Sequence, residues 1–440
     1  MSEIFRYFED HPSLFIVAGT IISALCAVAG VCIAWYRMKK DRNELQDQVG
    51  QLKLDLGQLQ ERHNNLQHVQ AETEDATRQA RAELGLAQGH ARDKETELTN
   101  ELESAKDRAV RMEANEKRTA RLIKQMLQLE GRFWEKRIHA GAPQFRPLAE
   151  RKAAIVSVLN LKGGVGKTTI TAHLGAALAN RGYRPLLVDI DLQGSLSSMF
   201  IPLDKLVERA EEGRLLQHFL SQTAHQRGLN LLEFIAPVLD DRAGLIATTD
   251  KMAYAELNLT MHWLLRLGKR DTRFLLRRAL HQKRVTNQYD VILLDCPPLI
   301  NTCCVNALAA SDYVLVPMMP SRKSAERVPQ LLKTLRDLGK RINPEIQPLG
   351  LILNRTHGHN LTALEQDAWK QVQIHAQDQW GSPVYACRTH IRQTNEVRDA
   401  ESQFAAPAAG SELYDYFQRL VLELEERLPR ECRRAATAPV

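Results

Sequence analysis

Between Arg37 and Arg132 the chain contains no proline and no phenylalanine, tryptophan or tyrosine. The missing aromatics exclude an ordinary packed domain there, and the missing proline leaves a long helix uninterrupted. Cysteine is scarce too: 7 in 440 residues, with no CxxC pair. That excludes a disulfide scaffold and a paired-cysteine metal site, and it points to inert thiols in a reducing compartment. With 25% charged and 44% hydrophobic residues, a wholly disordered or collagen-like chain is excluded as well. The net charge of +6 is mild for this length and does not by itself diagnose nucleic-acid binding. Length alone suggests about three domains.

The amino-terminal part carries a different signal. No charged side chain occurs from Leu14 to Trp35, a run of 22 nearly continuous apolar or small residues. As a helix it would reach about 33 Å, enough for a hydrocarbon core of about 30 Å. Trp35 and Tyr36 suit the interface, and Arg37, Lys39, Lys40 and Arg42 come next, whereas Glu3, Glu9 and Asp10 outnumber Arg6 before the run. The positive-inside rule then places residues 1–13 outside, a single span over 14–36, and the remainder in the cytoplasm, as expected at a bacterial inner membrane. A cleaved signal peptide would want a basic start and a shorter apolar run. Gly19, Ser23 and Ala27 recur every four residues, a face on which two such helices could approach.

From about residue 37 to 136 the expectation is an α-helical coiled coil. Leu45, Leu52, Leu59 and Leu66 fall seven apart, with Val49 and Leu56 between them, a heptad with leucine at one core position. The seam weakens at His63, Gln70 and Thr73 and resumes at Leu98, Leu102, Ala105, Ala109 and Met112, then Ile123 and Met126. Unbroken, such a rod would be about 140 Å long; its expected task is to dimerise and to hold the next domain away from the bilayer. Gly141, Pro143 and Pro147 mark residues 137–150 as a linker. Residues 151–430 read as one α/β domain, a mostly parallel sheet flanked by helices, and 431–440 as a basic tail.

The chemistry lies at the start of that domain. A β-branched run from Ala154 to Leu159 leads into Asn160-Leu-Lys-Gly-Gly-Val-Gly-Lys-Thr-Thr169, and a helical pattern continues to about Asn180. Strand, glycine-rich turn and helix form the context of a phosphate loop. Gly163, Gly164, Val165 and Gly166 let backbone N–H groups converge on phosphate oxygens at a helix amino terminus. Lys167 would reach the terminal phosphates, and the Thr168 hydroxyl, followed by Thr169, would hold Mg²⁺. Two further apolar strands end in acids, Asp189 and Asp191 after Leu186–Val188 and Asp295 after Val291–Leu294. Carboxylates at the carboxyl ends of parallel strands sit where open α/β sheets bind ligands. One would position the metal and another the attacking water.

Lys162-Gly-Gly-Val-Gly-Lys-Thr-Thr169 resembles the deviant Walker A motif of the ParA/MinD family of SIMIBI-class P-loop ATPases. Val188-Asp-Ile-Asp-Leu-Gln-Gly194 is similar to that family's DxDPQG segment, and Tyr289-Asp-Val-Ile-Leu-Leu-Asp-Cys-Pro-Pro298 to its Walker B strand. Residues 311–317, 349–355 and 389–392 resemble its later strands and the segment near the base. The resemblance implies an ATP- and Mg²⁺-dependent sandwich dimer. In it Lys162 reaches the partner's nucleotide, Lys167 acts in cis, Asp191 orients the water, Asp295 supports Mg²⁺ beside Thr168 and Asp189, and Asn354 reads adenine. Leu161 and Leu192 depart from the family's glutamine and proline. Neither removes a catalytic atom, so slow hydrolysis is expected.

The functional expectation is a membrane-anchored, ATP-dependent dimerisation switch acting on a partner, with an unidentified activator protein. The rival readings are a DNA-partition ATPase, a bacterial tyrosine-autokinase-like protein, and a non-hydrolysing scaffold. The basic run over 266–284 (Arg266, Lys269, Arg270, Arg273, Arg277, Arg278, Lys283, Arg284) is either a solvated helix face or a surface for nucleic acid or another anion.

Overall fold

The computed structural model describes residues 30, 38, 42, 44–62, 77–127, 133–135, 137–139, 141–225, 228–265, 270–358, 360–393, 404, 407 and 410–429. The expected membrane span at 14–36 and the basic tail at 431–440 lie outside the described residues, apart from Gly30 in the former. Among the described residues no helix is long and apolar enough to cross a membrane. The chain divides into two units, one of them Ala24–Gly131, the other holding everything from Arg132 onward.

The first unit contains a helical segment over 44–62 and the long helix Thr77–Leu127. Arg42 pairs with Glu116 at 3.0 Å. The pKa of Lys94 is raised first by its bond to Glu97 and, more weakly, by Glu101 and Asp55. Residues 42 and 55 thus meet residues 116 and 94, so the two segments run antiparallel. Leu98 and Ala105, seven apart, are 3% and 2% exposed. The 140 Å length held only for an unbroken rod, and residues 63–76 lie outside the described residues. The long helix measures about 77 Å. The heptad spacing is present, and within the chain the long helix is contacted by the segment over 44–62; a seam specifies packing against some helix and not which one.

The second unit is built on an eight-stranded sheet: β1 (Ala154–Val158), β2 (Pro185–Asp189), β3 (Ile235–Val238), β4 (Ala243–Ile246), β5 (Val291–Asp295), β6 (Tyr313–Met318), β7 (Gln347–Thr356) and β8 (Ile391–Arg392). The order is β3-β4-β2-β5-β1-β6-β7-β8, parallel throughout except for β3 against β4. Every residue of β1, β2 and β5 is buried, as a parallel sheet covered on both faces requires. One apolar core gathers Phe219, Leu259, Leu276, Leu308, Leu332 and Val372 from helices on one face. The other gathers Ile170, Leu174, Phe417 and Leu420 from the helices Lys167–Asn180 and Glu412–Glu425. Register sets the site: Asp295 lies opposite Val158 on β1 and opposite Asp189 on β2.

The expected linker is instead a strap on this unit. Trp134, Ile138 and Ala142 pack against the larger core. Arg273 donates to the carbonyls of Trp134 and Arg137, Arg277 to that of Pro143, Arg278 to that of Gly141 at 2.7 Å, and Arg341 to that of Glu135. The His139 amide donates to Asp271 at 3.1 Å. Much of the basic run is thus engaged with the chain's own acceptors, while Lys283 and Arg284 remain exposed. Arg273 is wholly buried against Asp271 and lies over the Trp263 ring at 4.6 Å. Arg277 also donates to Ala309 and Ile342, at 2.7 Å to the latter. Arg270 and Arg284 donate to the Thr223 and Leu229 carbonyls. Arg266 and Lys269 lie outside the described residues.

Candidate active site

The loop between β1 and the helix Lys167–Asn180 forms as the sequence requires. Gly164 and Gly166 adopt φ of 71° and 87°, the left-handed region where a side chain is strained. A Cβ on Gly166 would also lie 2.2 Å from the Asn354 amide nitrogen. Asn354 is 2% exposed and donates to the Val165 carbonyl at 2.8 Å, bracing the loop from the end of β7. That bracing was not foreseen for a residue expected to read adenine. Lys167 opens the helix and is 6% exposed; Thr168 and Thr169 come directly after it. The first helical N–H groups have no partner within the helix and carry its positive dipole end toward the loop.

Lys162 stands at the loop's mouth. Its backbone N–H donates to the Asn160 side chain at 2.9 Å, and the same side chain donates to the Pro317 carbonyl at 2.7 Å. Asn160 thereby ties the lysine's backbone to the end of β6. The Lys162 amine is lowered in pKa by burial and then by Arg327 and Lys323, so the mouth is electropositive.

Three carboxylates converge at the strand ends. Asp295 is wholly buried, and neither of its oxygens has a hydrogen-bond partner. Burial and then the Asp189 charge raise its pKa, while the nearby Thr168 hydroxyl and Lys167 oppose the rise. Orphaned acceptors of this kind are costly unless something positive or protic completes them. Asp189 is committed differently. One oxygen accepts from the Ser197 amide at 2.7 Å and hydroxyl at 2.6 Å, the other from the Asp191 amide at 3.2 Å. Burial pushes its pKa up to about 7 against those bonds. Asp191 lies beyond the end of β2, partly exposed, and accepts from the Gln193 amide at 3.3 Å; its pKa is raised by burial and lowered by its backbone donors and Lys167. The strand ends at Asp189, so the two acids do not share a strand face. Asp189 shapes the loop that presents Asp191, and Asp295 is the acid left open toward Thr168. An Mg²⁺ ion fits that pair, whose donors are a hydroxyl and a carboxylate, both hard oxygens.

A family model described as an AAA domain matches residues 153–348. The Sporulation initiation inhibitor protein Soj of Bacillus subtilis is 35% identical over 199 residues, 45% of this chain and 71% of that protein. The Chromosome-partitioning ATPase Soj of Thermus thermophilus is 30% identical over 277 residues, 63% of this chain and 97% of that protein. The chain belongs to the ParA/Soj family of P-loop ATPases. It is therefore an ATP-hydrolysing enzyme. Among solved structures, apo McdA of Cyanothece superposes with a TM-score of 0.50 at 18% identity, covering 62% of this chain and 99% of that one, a likeness of fold. The two departures from the ParA pattern, Leu161 and Leu192, both pack against the larger core, which accounts for apolar residues at these positions.

Ser197 and Asn160 were missed as contributors. Ser197 had a faint signal, a hydroxyl three residues after Gly194. A Cβ on Gly194 (φ 66°) would sit 3.0 Å from the Thr248 carbonyl.

Proposed function

We propose that this ATPase is a membrane-anchored switch in which ATP closes two copies into a sandwich dimer and hydrolysis reopens it, the nucleotide state deciding whether a partner protein is held. The observation that carries the reading is Lys162. Its amine is half-buried at an electropositive mouth with Lys323 and Arg327, an arrangement suited to a polyphosphate approaching from outside the subunit, while Lys167 serves the chain's own nucleotide. Thr168 and Asp295 would hold Mg²⁺, which would supply charge neutralisation at the phosphates. Asp191, on the loop set by Asp189 and Ser197, orients the attacking water, and the backbone amides of 163–168 neutralise charge on the transferred phosphoryl group. The sequence over 14–36 supplies the anchor, and an activator protein accelerates the slow hydrolysis. Partition of DNA, which the names of relatives suggest, is not favoured, because the arginines over 270–284 bind the chain's own carbonyls.

The test compares Lys162→Ala and Lys167→Ala in the full chain. Lys167→Ala loses ATP binding. Lys162→Ala still binds ATP but fails to dimerise with it, as read by light scattering. ATP-dependent dimerisation that survives in Lys162→Ala refutes the sandwich. Recovery of the chain in the supernatant of washed membranes refutes the anchor.

A further inference from the structure

Both loops that present catalytic acids are tied to one segment, residues 248–256, through its buried members Thr248, Met252 and Glu256. On one side Ser197, which holds Asp189, accepts from the Thr248 amide at 2.8 Å. The Thr248 hydroxyl donates to Gln217 at 2.8 Å, and Gln217 donates to Thr249 at 2.8 Å. Ser197 and Thr248 are wholly buried and Gln217 is 3% exposed. Thr249 in turn accepts the amide of Met252, which opens the helix Met252–Leu265. One turn along that helix stands Glu256, 8% exposed.

Glu256 reaches the other loop. Its Oε1 accepts from the backbone N–H of Thr302 at 3.1 Å and from the Thr260 hydroxyl at 3.0 Å, and the Thr260 and Thr302 hydroxyls meet beside it. Thr302 is the first residue of the helix Thr302–Ala310, and Asn301 caps that helix by accepting from the Cys304 amide at 2.8 Å. The first four N–H groups of a helix have no internal partners. Here Asn301 takes one and a carboxylate from a separate helix takes another. Only residues 296–301 separate Thr302 from Asp295, and two of them, Pro297 and Pro298, have their φ fixed by the ring. A stiff connection of that length carries a displacement at Thr302 back to Asp295.

We propose that Glu256 is a positioning residue for ATP hydrolysis: by anchoring the amino terminus of the Thr302–Ala310 helix it sets where the Asp295 carboxylate stands, and through 248–252 it keeps that acid in register with the Asp189–Asp191 loop. This rests on the ATPase assignment and goes beyond it, because Glu256 bonds to Thr260 and Thr302 and to no residue of the phosphate loop. What the site requires of Glu256 is an acceptor oxygen. Burial raises the carboxyl's pKa against its three hydrogen-bond donors, so glutamine is a conservative replacement.

The experiment measures steady-state ATP turnover, affinity for a fluorescent ATP analogue and melting temperature in the full chain. The variants are Glu256→Ala, Glu256→Gln and Thr260→Val, with Lys167→Ala as the blank. A misplacement of about 1 Å costs about 100-fold in rate. Glu256→Ala is therefore expected to lower kcat about 10- to 100-fold with affinity within about threefold of the parent, and Glu256→Gln to restore kcat to within about threefold. Should Glu256→Ala melt too low to assay, Thr260→Val decides, with kcat down about fivefold and affinity unchanged. Parental kcat in Glu256→Ala or Thr260→Val overturns the proposal. So does a Glu256→Gln protein as impaired as Glu256→Ala, or a loss of affinity parallel to the loss of kcat. A parental chain no faster than Lys167→Ala counts against the functional reading itself, a result separable from all of these.

Discussion

Arg277→Ala separates a structural arginine cluster from a docking face. Arg277 is 5% exposed, and its guanidinium serves the carbonyls of Ala309, Ile342 and Pro143, the last at 3.4 Å. It also lies over the Phe145 and Phe274 rings at 5.2 and 4.9 Å. Truncation leaves the two well-made acceptors buried without donors, at about 1–3 kcal/mol each, and removes ring contacts of about 1 kcal/mol. Against this, the charge itself is held under strain: burial lowers its pKa to about 10, so its removal returns about 3 kcal/mol. With lost packing of the side-chain stem added, the net loss is about 3 kcal/mol, or about 6–12 °C in melting temperature for a domain of this size. The assay is thermal unfolding followed by circular dichroism without nucleotide. Lys283→Ala serves as control, an exposed member of the same run expected to shift the midpoint by less than about 2 °C. An Arg277→Ala protein that melts with the parent, yet loses salt-sensitive binding to DNA, would refute the reasoning and return this run to the surface.

Three other outcomes are expected. His173, 1% exposed with neither ring nitrogen bonded and stacked on Phe417 at 4.9 Å, has its pKa lowered from 6.5 to about 4 by burial. Its contribution to stability, at most about 3 kcal/mol, is complete above pH 6.5 and lost as the pH falls through 4; a His173→Phe protein whose acid unfolding matched the parent's would contradict this. Gly166→Ala should abolish nucleotide binding, and adding Asn354→Ala should remove the clash but not the backbone strain of about 1–2 kcal/mol, leaving partial binding by calorimetry; full recovery would show that φ does not matter here. Cysteines at positions 42 and 116, joined by a flexible bismaleimide at low protein concentration, should cross-link within one chain, whereas cross-links exclusively between chains would overturn the antiparallel pairing.

The phosphate loop, the two acid-tipped strands and the sheet class were legible because their signals are local: glycines where φ is positive, β-branched runs where both faces are buried, acids where a strand stops. Asp189 and Asp191 show where local reasoning gave out. Two-residue spacing puts side chains on one face of a strand, yet that periodicity applies only while the strand lasts, and β2 ends at the first of them. The strap and the arginine cluster were illegible for another reason. Their acceptors are backbone carbonyls, which every residue carries, so the sequence displayed the donors and hid the partners. Heptads have the same blindness: leucine every seven residues states that a helix is wanted, and says nothing about whether it comes from another copy or from residues 44–62 of the same chain. Glu256 carried no motif at all, because its meaning depends on Thr302, 46 residues away.

Trp134, Ile138 and Ala142 lie on the larger apolar core, and the carbonyls of Trp134, Pro143 and Gly141 hold the guanidinium groups of Arg273, Arg277 and Arg278. A fragment trimmed to begin at Ala154 therefore uncovers greasy surface and strips acceptors from three cations, so it is expected to aggregate where a fragment beginning at Phe133 stays dispersed.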